Sequence, residues 1–315
     1  MIFDPGTSEK YDNAILLMHG LNERYWFKYL PWAHEMALSL NRPVILFPMA
    51  FHINRSPEDW NQRGVLSNSL PLRMKETGND ETTTIANLAL SNRLSKHPIR
   101  FLTSGKQSAD DIVKLIKGIR NGEHPLFNEN AAVDIFAYSI GGFLAQVLFY
   151  SNRNMLFDKS KLFLFCAGSY FDEMNGVSRV IMDKTAFDIM FRYYTVELNK
   201  DCQRNESLFN YLKYNGLGIA FYAMLSKDFN YNYKRNINHQ INERIKAFTL
   251  KNDKVIPAKA VKKTLEDQVV IIEGDFPFEY IHENPFPIYN EKEKSELVDE
   301  AFNKVFSEVK EFFAA

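Results

Sequence analysis

Six short stretches, at 14–18, 43–47, 133–138, 162–166, 245–250 and 269–272, are apolar at nearly every position instead of alternating with polar residues. Unbroken apolar runs of strand length are the mark of strands covered on both faces. Helical spacing lies between most of them, over 32–40, 109–119, 143–149 and 258–265. Strands alternating with helices predict an α/β chain: a mostly parallel sheet of about six main strands, with helices on both faces, in three layers.

Composition narrows the function classes. Lys and Arg total 38 and Asp and Glu 39, a net charge of -1 with no long like-sign run. That excludes a nucleic-acid partner, which would need a concentrated basic surface. Apolar residues make up 45% of the 315, ample for a large core,. No apolar run approaches the ~20 residues needed to span a bilayer. Two cysteines, Cys166 and Cys202, form neither a disulfide framework nor a Cys-x-x-Cys zinc pair,. The start, MIFDPGTSEKYDN, lacks a charged head followed by an apolar stretch,. The expectation is a cytoplasmic protein without a membrane span.

Two stretches break the strand–helix rhythm. Residues 51–108 read as a long polar connection with one short helix near 84–94. Residues 170–243 show helix-like spacing over 181–198 and 208–225, the second interrupted by Gly216 and Gly218. Twelve Phe and Tyr residues fall within the 47 positions 187–233, which favours a lid with an apolar binding surface over a plain pair of packed helices. Setting aside 170–243, 74 of the 315 residues, leaves 241, the size of one α/β domain,. The expected division is a core of 1–169 with 244–315, and a helical, aromatic-rich lid of 170–243.

The most informative segment runs Val133-Asp-Ile-Phe-Ala-Tyr-Ser-Ile-Gly-Gly-Phe. A strand ends at Ser139 and a helix begins at once, a sharp turn that needs small residues two before and two after the serine. Ala137 and Gly141 occupy those places. A match of this kind arises by chance in roughly one or two chains in ten of this length, and a serine capping a helix uses the same geometry. Three other features add weight. The first strand ends in His19-Gly20, after which the amide of Leu21, or alternatively of Asn22, is placed to share an oxyanion hole with the amide of Ile140. Asp253 follows the 245–250 strand, and His282 lies in the loop after the 269–272 strand. All three chemical groups thus sit at carboxyl ends of strands, where open α/β sheets bind ligands.

Through His19-Gly20, Ala137-Tyr-Ser139-Ile-Gly141, Asp253-Lys-Val-Ile-Pro257 and His282, the chain resembles the α/β-hydrolase superfamily over about 12–170 and 244–313. The resemblance implies Ser139 as nucleophile, Asp253 as acid and His282 as base. It implies a serine esterase or lipase-like enzyme that cleaves a carboxylic ester, thioester or amide through an acyl-serine, with no cofactor and no metal. The aromatic lid suggests a small-molecule acyl substrate with an apolar or aromatic moiety. An acyltransferase on the same residues, or a non-catalytic binding protein of this fold, are the alternatives. Members usually carry two further strands before the His-Gly strand, where this chain has some 13 residues. An uncovered sheet edge would invite a homo-oligomer.

Other residues carry weaker signals. Asp275 precedes His282 by seven positions, but Asp253 is preferred as the acid. His19 reads as structural, and His34, His52, His97, His124 and His239 as surface or loop residues. Cys166 reads as a small core residue, and Cys202 lies in the polar link of the lid. Gly105-Lys-Gln-Ser108 lacks the context of a phosphate loop. Arg55, Trp60 and Arg63 are placed either to bind a substrate carboxylate or to be solvated and packed.

Overall fold

The computed structural model describes residues 1–60, 62–152, 155–265 and 269–315, and only the backbone at 235, 238 and 239. The chain forms β1 (Ile2–Phe3), β2 (Tyr11–Met18), α1 (Leu30–Leu40), β3 (Val44–Phe47), α2 (Arg63–Glu76), α3 (Leu88–Lys96) and α4 (Arg100–Arg120). Then come β4 (Phe127–Tyr138), α5 (Ile140–Ser151) and β5 (Leu162–Phe165). Five helices intervene before the next strand: α6 (Lys184–Arg192), α7 (Leu198–Arg204), α8 (Glu206–Tyr214), α9 (Gly216–Leu225) and α10 (Tyr231–Ile241). The chain closes with β6 (Ile245–Leu250), α11 (Ala258–Leu265), β7 (Val270–Gly274) and α12 (Lys292–Ala314).

The sheet order is β1-β3-β2-β4-β5-β6-β7, with β1 antiparallel to β3 and every other pair parallel. After β2 the chain steps outward to β3, then returns to place β4 on the other side of β2. That reversal opens a crevice beyond the carboxyl ends of β2 and β4. The strands β3 and β5 and the later parts of β2 and β4 are apolar because each side is covered there. Ile15, Leu17, Phe136 and Phe165 pack with Trp32 of α1 and with Val305 and Phe306 of α12. Leu16, Met18, Ile135 and Leu164 pack on the opposite face with Ile112 and Ile116 of α4, Val147 of α5 and Val261 of α11. The three-layer α/β architecture is as expected.

Three local expectations are corrected. The segment 51–108 is largely helical, holding α2, α3 and the start of α4. Helix α2 gives no periodic signal because it buries only Leu66 and Arg73, and it contains Pro71. The first 13 residues supply an extra edge strand: β1 pairs Ile2 with Ile45 and Phe3 with Val44. The sheet therefore has seven strands, six of them parallel. The helical pattern at 208–225 is two helices, since Asn215 caps α9 by accepting from the amides of Leu217 at 3.1 Å and Gly218 at 3.4 Å. Among the described residues no helix is long and apolar enough to cross a membrane.

Candidate active site

Strand β4 delivers Ser139 in a strained conformation, φ 56° and ψ -129°, and α5 starts at the next residue. A non-glycine residue with positive φ is uncommon and costly, and such strain clusters where geometry serves function. The turn closes because Gly141 and Gly142 have no side chains. A Cβ on Gly141 would lie 2.7 Å from the carbonyl oxygens of both Met18 and His19, and one on Gly142 2.5 Å from Ala167 Cβ. The two glycines let α5 begin wedged between the ends of β2 and β5.

Ser139 Oγ lies 2.7 Å from His282 Nε2, and His282 Nδ1 lies 2.7 Å from Asp253 Oδ2. A carboxylate facing Nδ1 places the ring proton there, which leaves Nε2 to accept from the serine hydroxyl. The other carboxylate oxygen of Asp253 accepts from the amides of Val255 and Ile256, both at 2.9 Å, in the turn that leads from β6 into α11. All three residues are buried. The structure thus brings together the three residues singled out from the sequence, drawn from the ends of β4 and β6 and the loop after β7. Asp275 is elsewhere, ion-paired with Lys251 at 2.7 Å on the exposed surface.

Three further residues, to which the sequence assigned no part in the site, complete the setting. The Tyr138 ring stacks on His282, with centroids 5.5 Å apart and planes 17° from parallel. Its hydroxyl donates to the His282 carbonyl. Lys28 Nζ lies 4.7 Å from the Tyr138 ring centroid and donates to the Glu283 carbonyl at 3.0 Å, which fastens the histidine loop from below. Cys166 ends β5 with φ 47°, and burial, followed by the nearby Asp253 carboxylate, pushes its thiol well above the usual cysteine range. It is a buried neighbour of the acid as well as a core residue.

At the tip of β2, His19 is fully buried. Its Nδ1–H donates to the Gly20 carbonyl at 2.8 Å, and its Nε2 accepts the Met49 amide at 3.0 Å. Burial, reinforced by His52, holds its pKa well below the ordinary value, so it is a neutral strut joining the exits of β2 and β3. The amides of Leu21 and Ile140 donate to no protein acceptor among the described residues. Asn22, with φ 61°, spends its side chain on the carbonyls of Ala86 at 2.8 Å and Val180 at 2.6 Å. Arg55 donates to the Pro48 carbonyl at 3.0 Å and pairs with Asp111 at 2.6 Å, while Trp60 stacks on Phe51. Both are used within the fold. Residues 105–108 lie inside α4 and form no loop. His34 and His97 are exposed and His124 half-buried, and His52 is a loop residue that is buried; the side chain of His239 lies outside the described residues.

Two apolar cavities meet at Leu21, Phe101 and Ile140. One, of about 40 Å³, is bounded by Ser139, Ile181, Met182, Phe187, Met190 and Ile256. The other, of about 60 Å³, lies against Met49, His52, Phe143, Leu144, Leu217 and Phe221. Helix α6 walls the first, and α8 and α9 wall the second.

A parallel sheet of this order, with a serine on a strained strand-to-helix turn hydrogen-bonded through a histidine to an aspartate, defines the α/β-hydrolase fold. Within that fold, a family model described as "Family of unknown function (DUF6051)" matches residues 1–314, and the chain belongs to that family. No curated protein matches it by sequence. Among solved structures, it is similar to a soluble variant of monoglyceride lipase from Saccharomyces cerevisiae, at 11% identity and a TM-score of 0.48, over 99% of this chain and 89% of that one. It is also similar to a meta-cleavage product hydrolase from Pseudomonas fluorescens IP01, at 13% identity and a TM-score of 0.45, over 100% and 93%. A third is a monoacylglycerol lipase from Paleococcus ferrophilus, at 12% identity and a TM-score of 0.44, over 99% and 98%.

Proposed function

We propose that the protein is a carboxylic ester hydrolase working through an acyl-serine. The observation that carries this reading is the hydrogen-bonded chain from Ser139 through His282 to Asp253; Leu21 and Ile140, whose amides donate to no acceptor among the described residues, line the same cavity as Ser139. In the proposed reaction Ser139 Oγ attacks the ester carbonyl as His282 Nε2 takes its proton. The carbonyl oxygen, now an anion, is stabilised by the amides of Leu21 and Ile140. Asp253 holds the ring with Nδ1 protonated and stabilises the imidazolium. Collapse of the intermediate breaks the bond to the alcohol, which leaves with the proton from Nε2. Water then attacks the acyl-serine by the same route and releases the acid.

The 170–243 insertion acts in this reading as a lid, since Phe187 and Met190 of α6 and Leu217 and Phe221 of α9 wall the cavities. By the same volume measure a water needs ~10–15 Å³, so the two cavities together have room for roughly seven to ten waters. That favours compact apolar acyl and alcohol groups over long lipid chains. The test is turnover of p-nitrophenyl esters of increasing acyl length. Hydrolysis that peaks at short to medium chains and vanishes in Ser139→Ala is expected. Absence of turnover with every ester would overturn the proposal.

A further inference from the structure

The larger cavity has, among its described lining residues, one side-chain nitrogen buried without a hydrogen-bond partner. His52 lines it and is only 8% exposed. Its Nδ1 lies 3.0 Å from the carbonyl oxygen of Ala50, and a carbonyl can only accept, so Nδ1 carries the proton,. Burial, the larger influence, together with the field of Arg93, holds the pKa at about 4 despite the Ala50 contact, and the ring is neutral near pH 7. Nε2 is therefore an acceptor, and no protein group among the described residues donates to it. Buried acceptors in native proteins nearly always have a partner.

The other polar groups around this cavity are engaged. Ser108 Oγ donates to the Ser104 carbonyl at 2.9 Å and accepts the Ala50 amide at 2.8 Å. Ser104 Oγ donates to the Arg100 carbonyl at 2.5 Å, and Lys106 pairs with Asp110 at 2.8 Å. Tyr211 also has a partner. Ser108 fixes the Ala50 peptide, and that peptide fixes the tautomer of His52. The chain is bent on both sides of the ring, with Phe51 at φ 67° and Ile53 at φ 50°, a left-handed conformation that is exceptional for a β-branched residue,.

We propose that this cavity is a recognition subsite for a hydrogen-bond donor, a hydroxyl group at the end of an otherwise apolar arm of the ligand, and that His52 Nε2 is the acceptor that reads it. The cavity shares the lining residues Leu21, Phe101 and Ile140 with the Ser139 cavity, and in this proposal the arm belongs to the ester that Ser139 attacks. That last step rests on the hydrolase reading, whereas donor recognition does not. An apolar slot alone discriminates weakly, but one with a buried acceptor rejects an analogue that leaves it unpaired.

The test uses the full chain and two kinds of matched probes. In binding, p-cresol is compared with toluene, and ¹⁵N spectra of the imidazoles follow His52. The expected result is that p-cresol binds at least about tenfold more tightly and shifts the Nε2 resonance of His52. His52→Phe abolishes this preference, and His52→Gln, which restores an acceptor, recovers part of it. In turnover, a phenol-bearing ester is compared with its hydroxyl-free analogue, using p-nitrophenyl 4-hydroxyphenylacetate and phenylacetate for the acyl arm. For the alcohol arm the pair is 4-hydroxyphenethyl and phenethyl acetate. The ratio of kcat/KM favours the hydroxyl on one arm and collapses toward one in His52→Phe. Equal binding of p-cresol and toluene, or a preference that persists in a folded His52→Phe, overturns the subsite. Retained p-cresol preference with no ester turned over would instead overturn the hydrolase reading and leave the subsite standing.

Discussion

At the scale of single residues, the account depends on protonation states that burial sets. Asp253 has two tasks, holding the turn through the amides of Val255 and Ile256 and orienting His282. Asp253→Asn keeps a similar shape but presents a donor to Nδ1 and so disfavours the needed tautomer. Steady-state kinetics should show kcat reduced by on the order of 10³–10⁴, with a smaller change in KM. His52 supplies a second prediction. Its folded pKa of about 4 lies below the ordinary histidine value near 6.5,. Between those values the unfolded chain binds a proton that the folded one does not, so stability falls as pH drops from about 6.5 toward 4 and is unaffected above that window. His19 adds to the loss in the same direction. Urea unfolding across pH 4.5–7.5 should give a slope of stability against pH that is shallower in His52→Phe by up to about 1.4 kcal/mol per pH unit.

At the scale of elements, one buried ion pair joins two helices whose relation the sequence does not reveal. Arg73 of α2 makes a fork to Asp183, with Nε to Oδ2 at 2.9 Å and Nη2 to Oδ1 at 2.7 Å, and both residues are buried. Asp183 also caps α6 by accepting the Ala186 amide at 2.8 Å. The pair thus anchors α6, the helix that carries Phe187 and Met190 to the Ser139 cavity. Arg73→Met leaves the carboxylate buried without its partner and should cost about 3–5 kcal/mol in chemical denaturation, more than the double variant Arg73→Met with Asp183→Asn. The same pair explains what could be read in advance. The strands were legible because both faces bury apolar side chains. Helix α2 was not, because its one strong attachment is a polar one, and hydrophobic periodicity cannot register an arginine on a core face. Strand β1 was missed because two residues are too few to form a pattern.

At the scale of the whole molecule, the sheet gathers distant residues at one edge. Ser139, Asp253 and His282 were legible because each follows a strand end, and the strand ends could be located from the apolar runs. What surrounds them was not legible. The stacking of Tyr138 on His282, the Cys166 thiol beside Asp253, and the cavity holding His52 all require knowing which loops meet beyond the sheet. His52, at the exit of β3, faces residues of α4, α5 and α9 that lie 50 to 170 positions away. The sequence also placed no boundary on the cavities, whose walls come from α4 and α5 as well as α6 and α9. The central claim is that this assembly makes Ser139 a nucleophile. Intact-mass analysis of the full chain after exposure to a fluorophosphonate tests it most directly. A single adduct is expected on the wild-type protein, mapped to the peptide containing Ser139 and absent in Ser139→Ala. An unlabelled wild-type protein, or an adduct retained in Ser139→Ala, would contradict it.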